Sequence, residues 1–266
     1  MSGPPLIRVS GLSKRFGGLT AVEDLSFDVG HGEILAVIGP NGAGKTTTFN
    51  LITGMLTPTT GQIELDGQRI DGLPVHRIAA LGMLRTFQHN MPFAGMSLTD
   101  NVMIGAHRRF SASVVDILLQ RSHVLAEEKQ TRARAAELID FVGLGHHLHA
   151  DVTTLSFGEG RLLEIARALA GDPRVILLDE PAAGLTASEV KRLSTLIRTI
   201  AANGVSVLLI EHDMHFLMPL AERIVVLNFG RKIGEGTSQE IAANTAVVEA
   251  YLGSSINQLG QGGAHA

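Results

Sequence analysis

The 266-residue chain has no cysteine and no tryptophan, a single tyrosine, and only 4% aromatic residues. Without cysteine it has no thiol nucleophile, no disulfide framework, no thiolate-bound zinc and no iron–sulfur cluster. It also lacks the run of about 18 apolar residues that a membrane-spanning helix needs. The longest apolar stretches, Val175–Leu178, Val207–Ile210 and Ile224–Leu227, are short and bounded by Arg, Asp or Glu. The opening MSGPPLIRVSGLSKRFGG has no long apolar core and no small-residue cleavage pattern, so a secretory signal is not expected there. Basic excess is missing as well. Lys and Arg number 22 against 26 Asp and Glu, a net charge of −4, which argues against a nucleic-acid partner.

Apolar residues are plentiful. They make up 45% of the chain, and mean hydropathy is +0.22. That composition excludes general disorder. A chain of this length buries roughly three quarters of its unfolded surface and needs no disulfide or structural metal. With no span to hold it, the apolar excess is expected in buried strands, in an interface, or in both, within a soluble cytoplasmic chain.

The apolar runs Ile34–Ile38, Val175–Leu178, Val205–Ile210 and Ile224–Leu227 lack polar alternation. Strands covered on both faces read this way, which predicts a mostly parallel α/β sheet flanked by helices. Leu6–Val9, Leu25–Val29 and Gln62–Leu65 alternate instead, and Asp66-Gly67 is a hairpin signal, so an antiparallel β subdomain is expected beside the core. Helical patterns cover Lys45–Leu56, Ala126–Val142 and Arg161–Ala170, the last ended by Gly171 and Pro173. Capping boxes are read at Ser97–Asp100 and at Thr186–Glu189, the second opening a helix to about Ala202 before Asn203-Gly204. The expected organisation is one domain over 1–253. Its core lies at about 6–87 and 171–253, an inserted α-helical subdomain at about 88–170, and a flexible tail at 254–266.

Gly39-Pro-Asn-Gly-Ala-Gly-Lys-Thr46 fits G-x-x-x-x-G-K-[ST] between a strand and a helix, the context a phosphate-binding P-loop requires. Gly42 and Gly44 let successive N–H groups curl toward phosphate oxygens at a helix N-terminus. Lys45 is expected to reach the β- and γ-phosphates, and the Thr46 hydroxyl to ligate Mg²⁺. Asn41, Ala43 and Thr47 complete the candidate nucleotide-binding loop. Val175–Asp179 ends in Asp179-Glu180. At the carboxyl edge of a parallel sheet, where ligands gather, Asp179 is expected to hold Mg²⁺ and Glu180 to polarise an attacking water.

Leu155-Ser-Phe-Gly-Glu159 narrows the reading, because it resembles the LSGGQ signature of ATP-binding cassette (ABC) ATPases. Other elements follow in that family's order. Phe16 in KRFGG resembles the aromatic that stacks on adenine, and Gln88 in RTFQ the Q-loop glutamine. Ala183–Thr186 resembles the D-loop, and His212 the switch histidine. The strings GGLTAVEDLSFDV, IGPNGAGKTTTFNLITG, LEIARAL, LLDEPAAGL, IEHDM and AYLG are similar to the branched-chain amino-acid uptake group. Urea, amide and other hydrophobic amino-acid importers share most of them.

The resemblance implies a P-loop ATPase fold, ATP and Mg²⁺ as cofactors, and two cassettes facing head to tail. Ser156, Gly158 and Glu159 would then act in trans on the partner's nucleotide. Glu180 would be the general base, His212 would hold the γ-phosphate, and Gln88 would sense Mg²⁺ and nucleotide. Implied partners are membrane permease subunits, a second cassette (identical or sister) and, indirectly, a periplasmic binding protein. The place is the cytoplasmic face of the inner membrane, with docking through a groove around Phe87, Gln88, Met91 and Phe93. Alternatives are a cassette for urea, amides or aromatic acids, a lipopolysaccharide-type exporter, or a soluble cassette of DNA repair, chromosome structure or translation. The last class usually carries paired cassettes, coiled coils or zinc modules, and none is read here.

Two departures stand out. Phe157 and Glu159 replace Gly and Gln of the signature, and Thr186 stands where many cassettes have Asp, so Thr186 is read as a helix cap. His146, His147 and His149 are read as a solvated helix end because no acidic ligand pattern accompanies them. His215 is given no role, and the charges at 129–137 are read as a solvated helix face.

Overall fold

Ile34–Ile38 forms β3, and all five of its residues are buried. Their alternation assigns them to two different cores. Ile34, Ala36 and Ile38 join one apolar cluster, whereas Leu35 and Val37 join another. The same split runs through β7 (Val175–Asp179) and β8 (Ser206–Ile210), which are also wholly buried. A continuous apolar run is therefore one strand serving two cores.

A computed structural model describes residues 3–86, 92–107, 122–148 and 150–251. Its central sheet has the order β10-β9-β3-β8-β7-β6. The outer members are β6 (Met83–Arg85), β9 (Arg223–Asn228) and β10 (Arg231–Gly236). The pairs β3–β8, β3–β9, β6–β7 and β7–β8 are parallel, and β9–β10 is an antiparallel hairpin. A four-stranded antiparallel sheet, β2-β1-β4-β5, covers one face. It comprises β1 (Ile7–Phe16), β2 (Leu19–Val29), β4 (Thr60–Leu65) and β5 (Gln68–Arg69). Asp66 and Gly67 turn β4 into β5 with φ of 51° and 74°, the two positive values such a hairpin needs.

On this face sit α1 (Lys45–Ile52) and α2 (Val75–Ala80). The opposite face carries α3 (Leu98–Gly105), α4 (Ser122–Phe141), α5 (Phe157–Leu169) and α6 (Ala187–Ala202). Leu193, Leu196, Ile197 and Ile200 of α6 are buried at the i, i+3, i+4, i+7 spacing of one helical stripe. Each such side chain contributes about 1.5–3 kcal/mol by leaving water. Shorter helices are α7 (Met214–Leu217) and α8 (Ser238–Ala243), with α9 over 245–251.

The main differences from the local expectations lie at helix ends. Helix α1 stops at Ile52, short of Leu56, because Thr53 leaves helical geometry with ψ 1° and Gly54 takes φ 74°. Helix α4 starts at Ser122, earlier than Ala126. Helix α5 starts at Phe157, ahead of Arg161, since Ser156 and Glu159 form a reciprocal capping box. At Ser97 only half a box forms. Its hydroxyl caps the Asp100 N–H, but the Asp100 carboxylate bonds that hydroxyl and not the Ser97 N–H. Among the described residues, no helix is long and apolar enough to cross a membrane.

Candidate functional site

Register places the candidate residues. Val37 of β3 and Asp179 of β7 both lie opposite Ile210 of β8. The segments leaving β3, β7 and β8 at Gly39, Glu180 and Glu211 therefore emerge together at the carboxyl edge of the sheet. A cleft of about 450 Å³ opens there, lined by Phe16, Leu19, Asn41, Gly42, Ala43, Gly44, Lys45, Thr46, Thr47, Glu180 and Phe229. The strand-end aromatic, the P-loop and the second acid of β7 thus share one cavity.

The P-loop is wound ahead of its ligand. Gly42 and Gly44 take φ of 79° and 99°, and Gly44 caps α1. A side chain at Gly44 would press on the Ala21 carbonyl. The Lys45 ammonium is mostly buried and donates to the Gly39 and Pro40 carbonyls at 2.6 and 3.0 Å. Burial lowers its pKa below the ordinary lysine value, while Glu180 and Asp179 pull it back up. Phosphate oxygens offer a charged replacement for those two carbonyls. Thr46 is exposed to the cleft. Its hydroxyl and the Asp179 carboxylate are hard oxygen donors, the type magnesium takes.

Asp179 is 4% exposed and already has a cation. Arg85 Nη2 donates to its Oδ2 at 2.7 Å, and Arg85 Nη1 donates to Asn50 Oδ1 at 2.7 Å. Glu180 holds φ 47° and donates its N–H to the Ile210 carbonyl at 2.9 Å. His212 is exposed, with Nδ1 3.7 Å from Glu180 Oε1 and 3.8 Å from Glu211 Oε2. The structure thus brings Glu180 and His212 together.

Sequence reasoning missed Glu211. Its buried carboxylate accepts from the Ala182 N–H at 2.9 Å, the His212 N–H at 3.0 Å and the Asp213 N–H at 3.4 Å. It ties the segment after Glu180 to the segment carrying His212. Burial pushes this carboxyl up, and the three N–H groups oppose the shift. An acid at a strand end reads as solvated, so only the fold reveals this role.

Phe229 was also missed. It sits at the β9–β10 turn with φ 45°, followed by Gly230 with φ 79°, and is 84% exposed. A left-handed conformation costs a non-glycine residue roughly 1–2 kcal/mol, and an exposed phenyl ring gains no burial in return. The ring faces the same cleft as Phe16. Phe229→Asn, which suits the turn, should raise the melting temperature and weaken nucleotide binding together. Thermal melts and ATP titration check this; unchanged affinity would rule out a contact between Phe229 and the nucleotide.

The signature residues lie elsewhere. Ser156, Gly158 and Glu159 line a small pocket with Leu185, Glu189 and Arg192, and none of them lines the P-loop cleft. Ser156 caps α5, and Thr186 caps α6 in a matching box with Glu189. A methyl group at Gly158 would collide with the Glu189 carboxylate, which the Thr186 box holds in place. Phe157 packs its ring edge on Gly184, and the Arg161 guanidinium lies 5.2 Å from the ring centroid. Gln88 and the groove residues Phe87 and Met91 lie outside the described residues, as do His149 and the expected tail.

The ABC transporter family profile matches residues 22–183, and that of the branched-chain amino acid ATP-binding cassette transporters matches 231–256. The chain is 42% identical to the high-affinity branched-chain amino acid transport ATP-binding protein BraF of Pseudomonas aeruginosa. It is 40% identical to LivG of Escherichia coli, which carries the same description. Each match spans 94% of this chain and 98% of the relative. A crystal structure of an ATP-binding cassette of an ABC transporter in its ADP conformation superposes with a TM-score of 0.83. It is 28% identical, over 94% of this chain and 100% of that one. With its P-loop, paired strand-end acids and separate signature helix, the chain belongs to the ABC transporter family, among the branched-chain amino acid ATP-binding cassettes.

Proposed function

We propose that this chain is the ATP-hydrolysing subunit of a multi-subunit importer for branched-chain or related amino acids. The observation that carries the reading is the shared cleft of Phe16, the Lys45 loop and Glu180, with His212 beside Glu180 and the signature on another face. Phe16 stacks the base. Lys45 and the loop N–H groups neutralise the phosphates. Thr46, Asp179 and Gln88 would hold Mg²⁺, which would lower charge repulsion at the phosphates. Glu180 takes a proton from the attacking water, and His212 supports the γ-phosphate.

A P-loop cleft that lacks its own signature residues calls for a second cassette, identical or sister, whose Ser156, Gly158 and Glu159 counterparts complete the site. The chain acts as one domain over 1–253, with the helices between 88 and 170 forming a subdomain that meets membrane permeases. It works peripherally at the cytoplasmic face, and a periplasmic binding protein delivers solute.

Reconstitution with a permease pair and binding protein tests this. ATP turnover should rise when leucine, isoleucine or valine is supplied. Turnover indifferent to these but raised by urea or an aromatic acid would revise the solute. No ATP hydrolysis at all would sink the reading.

A further inference from the structure

His146 and His147 stand on a 3-10 turn, Gly145–His147, and Glu159 on the first turn of α5. Both imidazoles converge on one carboxylate oxygen: His147 Nε2 is 3.1 Å and His146 Nε2 3.7 Å from Glu159 Oε1. Taking one ring nitrogen from each histidine and one carboxylate oxygen, the three donors lie within 4.8 Å of one another. One oxygen at 3.1 Å satisfies one imidazole, and the second imidazole is left just outside hydrogen-bond distance. The ring centroids are 4.1 Å apart and tilted by 44°, which is no stacked pair.

A tetrahedral zinc-class ion with bonds of about 2.0–2.1 Å holds its donors roughly 3.3–3.4 Å apart. The two observed separations bracket that value. The other carboxylate oxygen, Oε2, accepts the Ser156 N–H at 2.8 Å, so the carboxylate is oriented with Oε1 left toward the histidines. The Ser156 N–H is also the main cause holding the Glu159 carboxyl below its usual range. The Glu189 carboxylate lies close enough to Glu159 to add negative potential. Two imidazoles and one carboxylate suit zinc, nickel or copper more than magnesium. The sequence hides the set, because Glu159 follows His147 by twelve positions.

We propose that His146, His147 and Glu159 form a site for one divalent transition-metal ion of the zinc class, apart from the P-loop cleft of the same chain. The fourth coordination position stays open to solvent. The ion would clamp the Gly145–His147 turn to the N-terminus of the signature helix, and it would stabilise the fold by mass action.

Cobalt is the probe. The metal-stripped full chain, without nucleotide and in excess Mg²⁺, is titrated with Co²⁺ and read by its visible d–d absorption, then back-titrated with Zn²⁺. With no cysteine in the chain, thiolate charge-transfer bands are absent. The expected result is one tetrahedral Co²⁺ per chain, displaced by Zn²⁺. The His146→Ala/His147→Ala double variant and Glu159→Gln should each weaken binding by more than about tenfold, the least that even an outer-shell loss costs a metal site. His212→Ala and His215→Ala should match wild type. Glu159→Gln keeps the side-chain length and a hydrogen-bonding oxygen for the helix cap, so it decides the matter should the double variant fail to fold. No binding by wild type overturns the proposal. So does affinity in the folded variants within about twofold of wild type, or a loss in His212→Ala or His215→Ala as large as that in the double variant.

Discussion

Glu180→Gln should leave ATP binding intact and lower turnover by about 10²–10⁴-fold, the range a positioned general base contributes. The substitution keeps size and shape, so it isolates the carboxylate's chemistry. Glu180 lines the nucleotide cleft beside Lys45, and its carboxylate stands 3.7 Å from the His212 ring. Its backbone is held at φ 47°, a conformation that costs a side-chain-bearing residue roughly 1–2 kcal/mol. A hydrogen bond to the Ile210 carbonyl and the Glu211 bridge between Ala182 and His212 hold it there. That cost is spent on direction: the chain bends so that Asp179 stays buried while Glu180 turns into the cleft. Single-turnover ATPase measurements and gel filtration with ATP check the result. A nucleotide-bound closed dimer should accumulate, and wild-type turnover would remove Glu180 as the base. Glu180→Gly should relieve the backbone, raise stability and still abolish turnover, separating strain from chemistry.

The parts of this site that repeat locally were legible in the sequence. The Gly39–Thr46 loop carries its strand, its glycines and its helix within a few residues, so spacing alone locates it. The runs Val175–Leu178 and Val205–Ile210 read as doubly covered strands because each contributes to both cores. That double coverage also accounts for much of the apolar composition: one sheet feeds two cores. Thr186 as a cap followed from the Thr-x-x-Glu pattern, and the reciprocal bonds with Glu189 form as expected.

Contacts between distant segments were not legible. Glu211 matters because three backbone N–H groups from two segments reach it. Phe157 looks like a defect in the signature until its ring is found on Gly184, with Arg161 above it. Gly158 is required less by its own backbone than by the carboxylate of Glu189, thirty-one positions on. Arg85, within the quoted string RTFQ, had no assigned partner because its partner is 94 positions away.

Arg85 therefore supports the second large effect. Its ion pair with Asp179 is close to fully buried, with side chains 9% and 5% exposed. Its guanidinium also lies 5.6 Å from the Phe49 ring centroid, over α1. Forming such a pair gains little net stability, because both charges lose their hydration. Removing one member costs up to about 3–5 kcal/mol, because the other charge stays buried without its hydrogen-bonded partner, Lys45 acting on Asp179 only through space. Arg85→Ala should lose stability on that scale, and the melting temperature should fall by roughly 10 °C for a chain of this size. Arg85→Lys should lose less, since it keeps the charge but not the planar fork that reaches Asp179 and Asn50 together. Mg²⁺ with nucleotide should recover more stability in Arg85→Ala than in wild type, because a cation held by Thr46 and Asp179 would supply the missing positive charge. Thermal melts with and without Mg²⁺ and ATP measure both quantities. A melting temperature within about two degrees of wild type would show that Asp179 does not depend on Arg85. Loss of stability with no extra recovery would place the cation away from Asp179.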